Sequence, residues 1–175
     1  MKFHLGIRPE ISDDPSEAEV YEWFGATSFA AQVLEQGILV TLVVLASKGT
    51  KVSESEWNSF YETYDRSTLG QMLRKLSGKH DFPDGLAALL DSALKERNRL
   101  AHQFFADYSE ALAFPAGRKR MIDDLSSMMT LFFKADGVRQ RFFEFQRDQL
   151  GMNDGVIAKL VDHMMNEHLA KHPNG

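Results

Sequence analysis

Apolar residues recur at intervals of three and four along most of the chain, and the strict alternation that marks a half-buried strand is nearly absent. An all-α fold is the expectation. Ser16-Glu17-Ala18-Glu19, directly after Pro15, has the form of a capping box and opens a helix predicted to run to about Ala46, with Ser47-Lys48-Gly49 as its stop. Ser53-Glu54-Ser55-Glu56 opens a short helix to about Tyr64, and Thr68-Leu69-Gly70-Gln71 opens another that ends near Gly78. Asp81-Phe82-Pro83-Asp84 places proline and acids where a helix N-terminus favours them, and the apolar pattern then runs unbroken to about Ala113. Phe114-Pro115-Ala116-Gly117 breaks it. The next helix is expected over Arg118 to Leu150, with Asp136-Gly137 as the place where it would bend or break and Gly151 as its stop. A last helix spans about Asn153 to Ala170. Short connections predict antiparallel neighbours in an up-and-down bundle of four to six helices. The expectation is one domain, with its core over about 16–150.

Projecting the two best-defined helices onto their buried faces isolates two charges. The stripe Leu86, Leu90, Ala93, Arg97, Leu100, Phe104, Tyr108 carries Arg97 in its seam, and the stripe Tyr21, Phe24, Ser28, Ala31, Glu35, Ile38, Leu42, Leu45 carries Glu35. A buried unpaired charge costs several kcal/mol, so Glu35 is expected to meet Arg97. The alternative is that the helices are rotated slightly and both side chains reach the rim. Asn98 and His102 lie one turn apart and share a polar strip with Lys95 and Asp91. Arg97 and His102 are five residues apart, about 140° around a straight helix at 100° per residue. They converge only if the arginine stem bends round, the helix is irregular, or a second copy of the helix completes the site.

Length and charge bound the function classes. The 175 residues, 43% hydrophobic and 26% charged, suffice for a core without bias toward disorder. The absence of cysteine excludes disulfides, thiol catalysis and thiolate metal sites. Met1 to Pro15 is polar, and the longest apolar run, Gly37 to Ala46, is shorter than the roughly 20 residues that span a bilayer, so a cytoplasmic protein without a membrane partner is expected. The net charge of -5 divides into -7 over residues 1–65, +4 over 66–147 and -2 over 148–175. The basic middle, with Arg118-Lys119-Arg120, Arg139, Arg141 and Arg147, permits contact with phosphates but reads first as a solvated face.

The run Arg97-Asn98-Arg99-Leu100-Ala101-His102 resembles the motif of the HEPN superfamily, in which an arginine, often followed by a polar residue, precedes a histidine by four to six positions. Gln32-Val33-Leu34-Glu35, Leu69-Gly70-Gln71-Met72-Leu73 and Leu94-Lys95-Glu96-Arg97-Asn98 are similar to phrases of a bacterial HEPN-like subgroup, and the resemblance covers about 17–150. It implies a helical bundle and a metal-independent endoribonuclease without cofactor, usually a homodimer whose motif helices face each other across one cleft. In such a site His102 would move protons at the ribose 2′-hydroxyl and the leaving oxygen, Arg97 would hold the phosphate, and Asn98 would orient a partner. Glu35 and Lys95 would support them. The product would end in a 2′,3′-cyclic phosphate.

The setting the resemblance implies is a toxin–antitoxin pair or phage defence, with RNA as substrate and an antitoxin or neighbour-encoded protein as partner. A non-catalytic dimerisation or interaction module of the same fold is the alternative. In the toxin branch silenced by a nucleotidyltransferase, a tyrosine follows the histidine by two residues; here that position is Phe104, and Tyr108 is not an obvious substitute. His163, Glu167, His168 and His172 have one-turn spacings that suit a metal, but a solvated end is the simpler reading, so no metal is expected. Met128-Met129, Phe132-Phe133 and Phe142-Phe143 read as core or dimer packing.

Overall fold

The computed structural model of the protein describes residues 8–47, 67–78 and 85–151, together with Ser55, Ser59, Glu62 and Thr63. It is an all-α bundle, with no strand among the described residues. In chain order α1 is Glu17–Ser47, α2 Leu69–Ser77, α3 Leu86–His102, α4 the single turn Phe104–Asp107, and α5 Pro115–Gln149; a 3₁₀ turn, Ala111–Ala113, precedes α5. Ser55, Ser59, Glu62 and Thr63 are helical, within the segment Ser53–Tyr64 that the second box predicts. The predicted last helix and the four residues of the metal reading lie outside the described residues.

Two of the predicted boxes close reciprocally. The Ser16 amide donates to Glu19 Oε2 at 2.7 Å while the Glu19 amide donates to Ser16 Oγ at 3.3 Å. At α2 the Thr68 amide donates to Gln71 Oε1 at 2.9 Å and the Gln71 amide to Thr68 Oγ1 at 3.3 Å. Each box satisfies amides that the first turn of a helix leaves without carbonyl partners. The Ser16 amide, followed by side-chain bonds to Ser12 and Ser16, holds the Glu19 carboxyl below its ordinary range.

The helices differ from the sequence reading in three places. The buried face of α1 includes Ala31, Ile38, Leu42 and Leu45 of the expected stripe, but in the N-terminal half it is Val20, Trp23, Thr27 and Ala30, about one residue round, and Tyr21 is 51% exposed. Polar Thr27 and Thr41 are tolerated on this face because each hydroxyl finds a carbonyl, of Leu125 at 3.2 Å and of Gly37 at 2.8 Å. α5 begins at Pro115, three residues early, because proline at the first helical position loses no bond. It then runs straight through Asp136-Gly137.

The third difference bears on the motif. α3 ends at His102, where Gln103 leaves helical geometry at φ -129, so the apolar pattern to Ala113 is not one helix. The bend lets Arg99 come within 3.6 Å of Asp107, eight residues on, which a straight helix would hold about 12 Å away along its axis. It also drives Phe104 into the core against Phe24, ring centroids 5.8 Å apart.

Side-chain pairs set the directions. Thr27 meets Leu125 and Gly37 meets Arg139, so α1 and α5 run parallel; Glu35 meets Arg97 and Phe24 meets Phe104, so α1 and α3 run antiparallel. The core lies chiefly between α1 and α5, around Trp23, Leu34, Ile38, Met121, Ile122, Leu125 and Phe132, each worth about 1.5–3 kcal/mol of burial. Met128, Met129, Phe132 and Phe142 of the predicted stripe are buried in the core, while Phe133 and Phe143 are partly buried against it. α1 is also long and apolar enough to cross a membrane by length and composition, with mean hydropathy 1.7 in its most apolar window, 56% of which is buried inside the bundle. The uninterrupted run Gly37–Ala46 understates that character.

Candidate functional site

α3 presents its polar residues on the side away from Leu86, Leu90, Ala93 and Leu100. Glu35 and Arg97 do meet: Arg97 Nε donates to Glu35 Oε1 across the α1/α3 contact. Their side chains keep 20% and 33% of their surface, so both alternatives hold in part, a true ion pair standing at the rim of the seam. From there the guanidinium reaches on round α3, with Nη1 donating to Asn98 Oδ1 at 3.3 Å. Among the described residues Arg97 Nη2 makes no hydrogen bond.

The result is a polar chain, Glu35 to Arg97 to Asn98, with a cavity of about 280 Å³ beside it. Glu35, Gln36, Ser67, Thr68, Met72 and Arg97 are among its lining residues, so α1, α2 and α3 all contribute walls. Thr68 is the residue that caps α2, which ties the mouth of this cavity to a helix start.

His102 does not join the chain. It is the last residue of α3, exposed, and among the described residues it makes no hydrogen bond or ion pair. α3 is regular between Arg97 and His102, so no irregularity brings them together, and the bend begins one residue too late. The arginine stem turns far enough to reach Asn98 but leaves His102 about one turn further along the axis. Of the three routes to convergence, a second copy of α3 is the one left open.

Lys95 belongs to the outer strip. It pairs with Asp91 at 2.8 Å, both largely exposed, and its hydrogen bond to that carboxylate, then the charge itself, holds the ammonium above its ordinary value. Lys95 is thus engaged by its own helix and does not touch Arg97.

Sequence reasoning missed the tightest cluster on α3. Arg99 Nη2 donates to both oxygens of Asp124 on α5, at 2.7 and 2.9 Å, its Nε to Glu96 at 2.9 Å, and Tyr108 Oη donates to Asp124 Oδ2 at 3.0 Å. These bonds, Asp124 first, hold the guanidinium far above its ordinary value against the opposing effect of burial. Burial first, then the bond to Asp124, pushes the Tyr108 phenol up. The Glu96/Arg99 spacing was readable as one ion pair; the partner 25 residues on was not. Of the basic side chains on α5, Arg118 donates to the carbonyls of Pro15 and Leu112, and Arg139 is 92% buried by its neighbours at 8% exposure. These two are structural, which thins the basic face.

No group of three or more His, Asp or Glu side chains among the described residues is arranged to hold a metal ion. No protein-family model matches the chain, and neither the curated proteins nor the solved structures contain a match to it.

Proposed function

We propose that this chain is a HEPN-like, metal-independent endoribonuclease whose working site is shared between two copies of α3. One observation carries the reading: the partly exposed guanidinium of Arg97 is held between Glu35 and Asn98, and its second terminal nitrogen makes no hydrogen bond among the described residues. An arginine fixed at its Nε and one terminal nitrogen presents the other as a preorganised donor to a phosphate oxygen, at little entropic cost. His102, exposed and without a partner among the described residues, would take the proton of a ribose 2′-hydroxyl or give one to the departing 5′-oxygen. The 2′-oxygen attacks phosphorus, the 5′-oxygen leaves with a proton, and the products are a 2′,3′-cyclic phosphate and a 5′-hydroxyl. Arg97 stabilises the charge that builds on the phosphoryl oxygens in between.

The test is cleavage of labelled RNA in EDTA by wild type, Arg97→Ala and His102→Ala. Cleavage by wild type alone, ending in a cyclic phosphate, supports the reading; an inert wild type at micromolar protein ends it. A second reading, a non-catalytic interaction module, is favoured by the separation of His102 from Arg97 within one chain. It predicts three equally inert proteins and unchanged association of each with its partner.

A further inference from the structure

The cavity of about 280 Å³ beside Arg97 lies just under the usual range of ligand pockets, about 300–1,000 Å³, and so offers room for a single ring system. Leu39 and Met72, both buried, supply part of its wall, and a thioether beside an aliphatic side chain suits the face of an aromatic ring. Much of the polar lining is already engaged. Ser67 Oγ accepts from Lys75 Nζ at 3.0 Å and donates to the Thr63 carbonyl at 3.3 Å, and Thr68 Oγ1 accepts from the Gln71 amide at 3.3 Å. Among the described residues, the Gln36 carboxamide and Glu35 Oε2 have no hydrogen-bond partner, while Glu35 Oε1 serves Arg97.

The chemistry of these free groups selects a ligand. An ionised carboxylate only accepts, with about four lone-pair sites on its two oxygens, and Arg97 uses one of them. It therefore suits two donors side by side. Among the nucleobases guanine presents that pair on its pairing edge, N1–H beside an N2–H, and its neighbouring O6 accepts from a carboxamide such as that of Gln36. Adenine and cytosine set a bare ring nitrogen beside the amino group, and uracil flanks its N–H with two carbonyls. Each of these three would bring an unpaired acceptor against the carboxylate.

We propose that this cavity is a guanine subsite, read by Glu35 and Gln36, for the nucleotide whose phosphate Arg97 holds. Arg97 itself lines the cavity, so a phosphate on its free nitrogen and a base in the cavity fit within one nucleotide. The assignment rests on the ribonuclease reading for the phosphate, and it makes guanine in single-stranded RNA the substrate class, since the pairing edge must be free. Glu35 then has two tasks, aiming the guanidinium and reading the base, so phosphate and base are held by one connected set of bonds.

Binding separates the subsite from the chemistry. The full chain is titrated in EDTA with the 3′,5′-bisphosphates of guanosine, adenosine, cytidine and uridine, which carry the same phosphates and differ only in the base. The guanosine compound is expected to bind roughly tenfold tighter than the other three, the discrimination of one bidentate pair. Glu35→Gln replaces two acceptors by an acceptor and a donor, which match adenine, so it should bring adenosine above guanosine. Gln36→Ala, at an exposed position where truncation spares the core, should cost guanosine about fivefold more than the others. Equal affinities for the four compounds, no binding at millimolar nucleotide, or a Glu35→Gln loss shared evenly by all four overturn the proposal. A guanosine preference in a chain that leaves single-stranded RNA uncut keeps the subsite, for free guanine nucleotides, and ends the ribonuclease reading. Cleavage without regard to guanine does the reverse.

Discussion

Arg97 shows how much a single residue's role depends on its partners. It pairs with Glu35 at the rim, so truncating the acid removes a partly screened interaction and leaves a cation that water still reaches. Glu35→Ala is expected to cost about 1 kcal/mol in a urea titration, far less than the several kcal/mol of an orphaned buried charge. Under the proposed function its effect on RNA cleavage should be larger in proportion, because the guanidinium loses the group that aims it. The carboxylate of Glu19 makes a second residue-level case. Its folded pKa lies below the unfolded one, so its contribution to the start of α1 is complete above the ordinary carboxylate range and is lost as pH falls through the lower folded value. Ser16→Ala should move the Glu19 midpoint back up toward the ordinary carboxylate range, read by carboxyl NMR.

Elements respond to the space around their glycines. Gly117, on the first turn of α5, lies under the 3₁₀ turn, and a Cβ there would stand 2.0 Å from the Ala111 carbonyl oxygen. Backbone cannot step aside as a flexible side chain can, so Gly117→Ala is expected to destabilise by at least about 2 kcal/mol and to lower the melting temperature. Gly137 has nothing within 4 Å of its would-be Cβ and sits inside the same helix. Gly137→Ala should stabilise by about 0.5–1 kcal/mol, the ordinary gain in helix propensity. An interrupted α5 would show the opposite result at that position.

At the scale of the whole molecule, the separation of Arg97 from His102 makes association the condition for the proposed chemistry. A site built from Arg97 of one copy and His102 of another predicts complementation: inactive Arg97→Ala and inactive His102→Ala chains, mixed and exchanged, should regain about a quarter of wild-type cleavage, the share expected if half the dimers are mixed and each keeps one intact site. No recovery in mixed dimers, verified as dimers by sedimentation, would place both residues' work within one chain. Arg99 is part of the same picture, since its bonds to Asp124 pin the end of α3, and with it His102, to α5.

The sequence alone determined what is local. Capping boxes at Ser16 and Thr68 were legible because their donors and acceptors lie three residues apart, and helix periods were legible because one turn repeats every 3.6 residues. The meeting of Glu35 and Arg97 was legible too, because two charges in two apolar seams have few other partners. Tertiary structure decided the rest. It set the rotation of the first half of α1, where Val20 and Trp23 are buried and Tyr21 is not, and it ended α3 at His102, beyond which the bend brings Asp107 as well as Asp124 to Arg99. Both depend on contacts between residues far apart in the chain or across a bend, and no spacing along one helix encodes them.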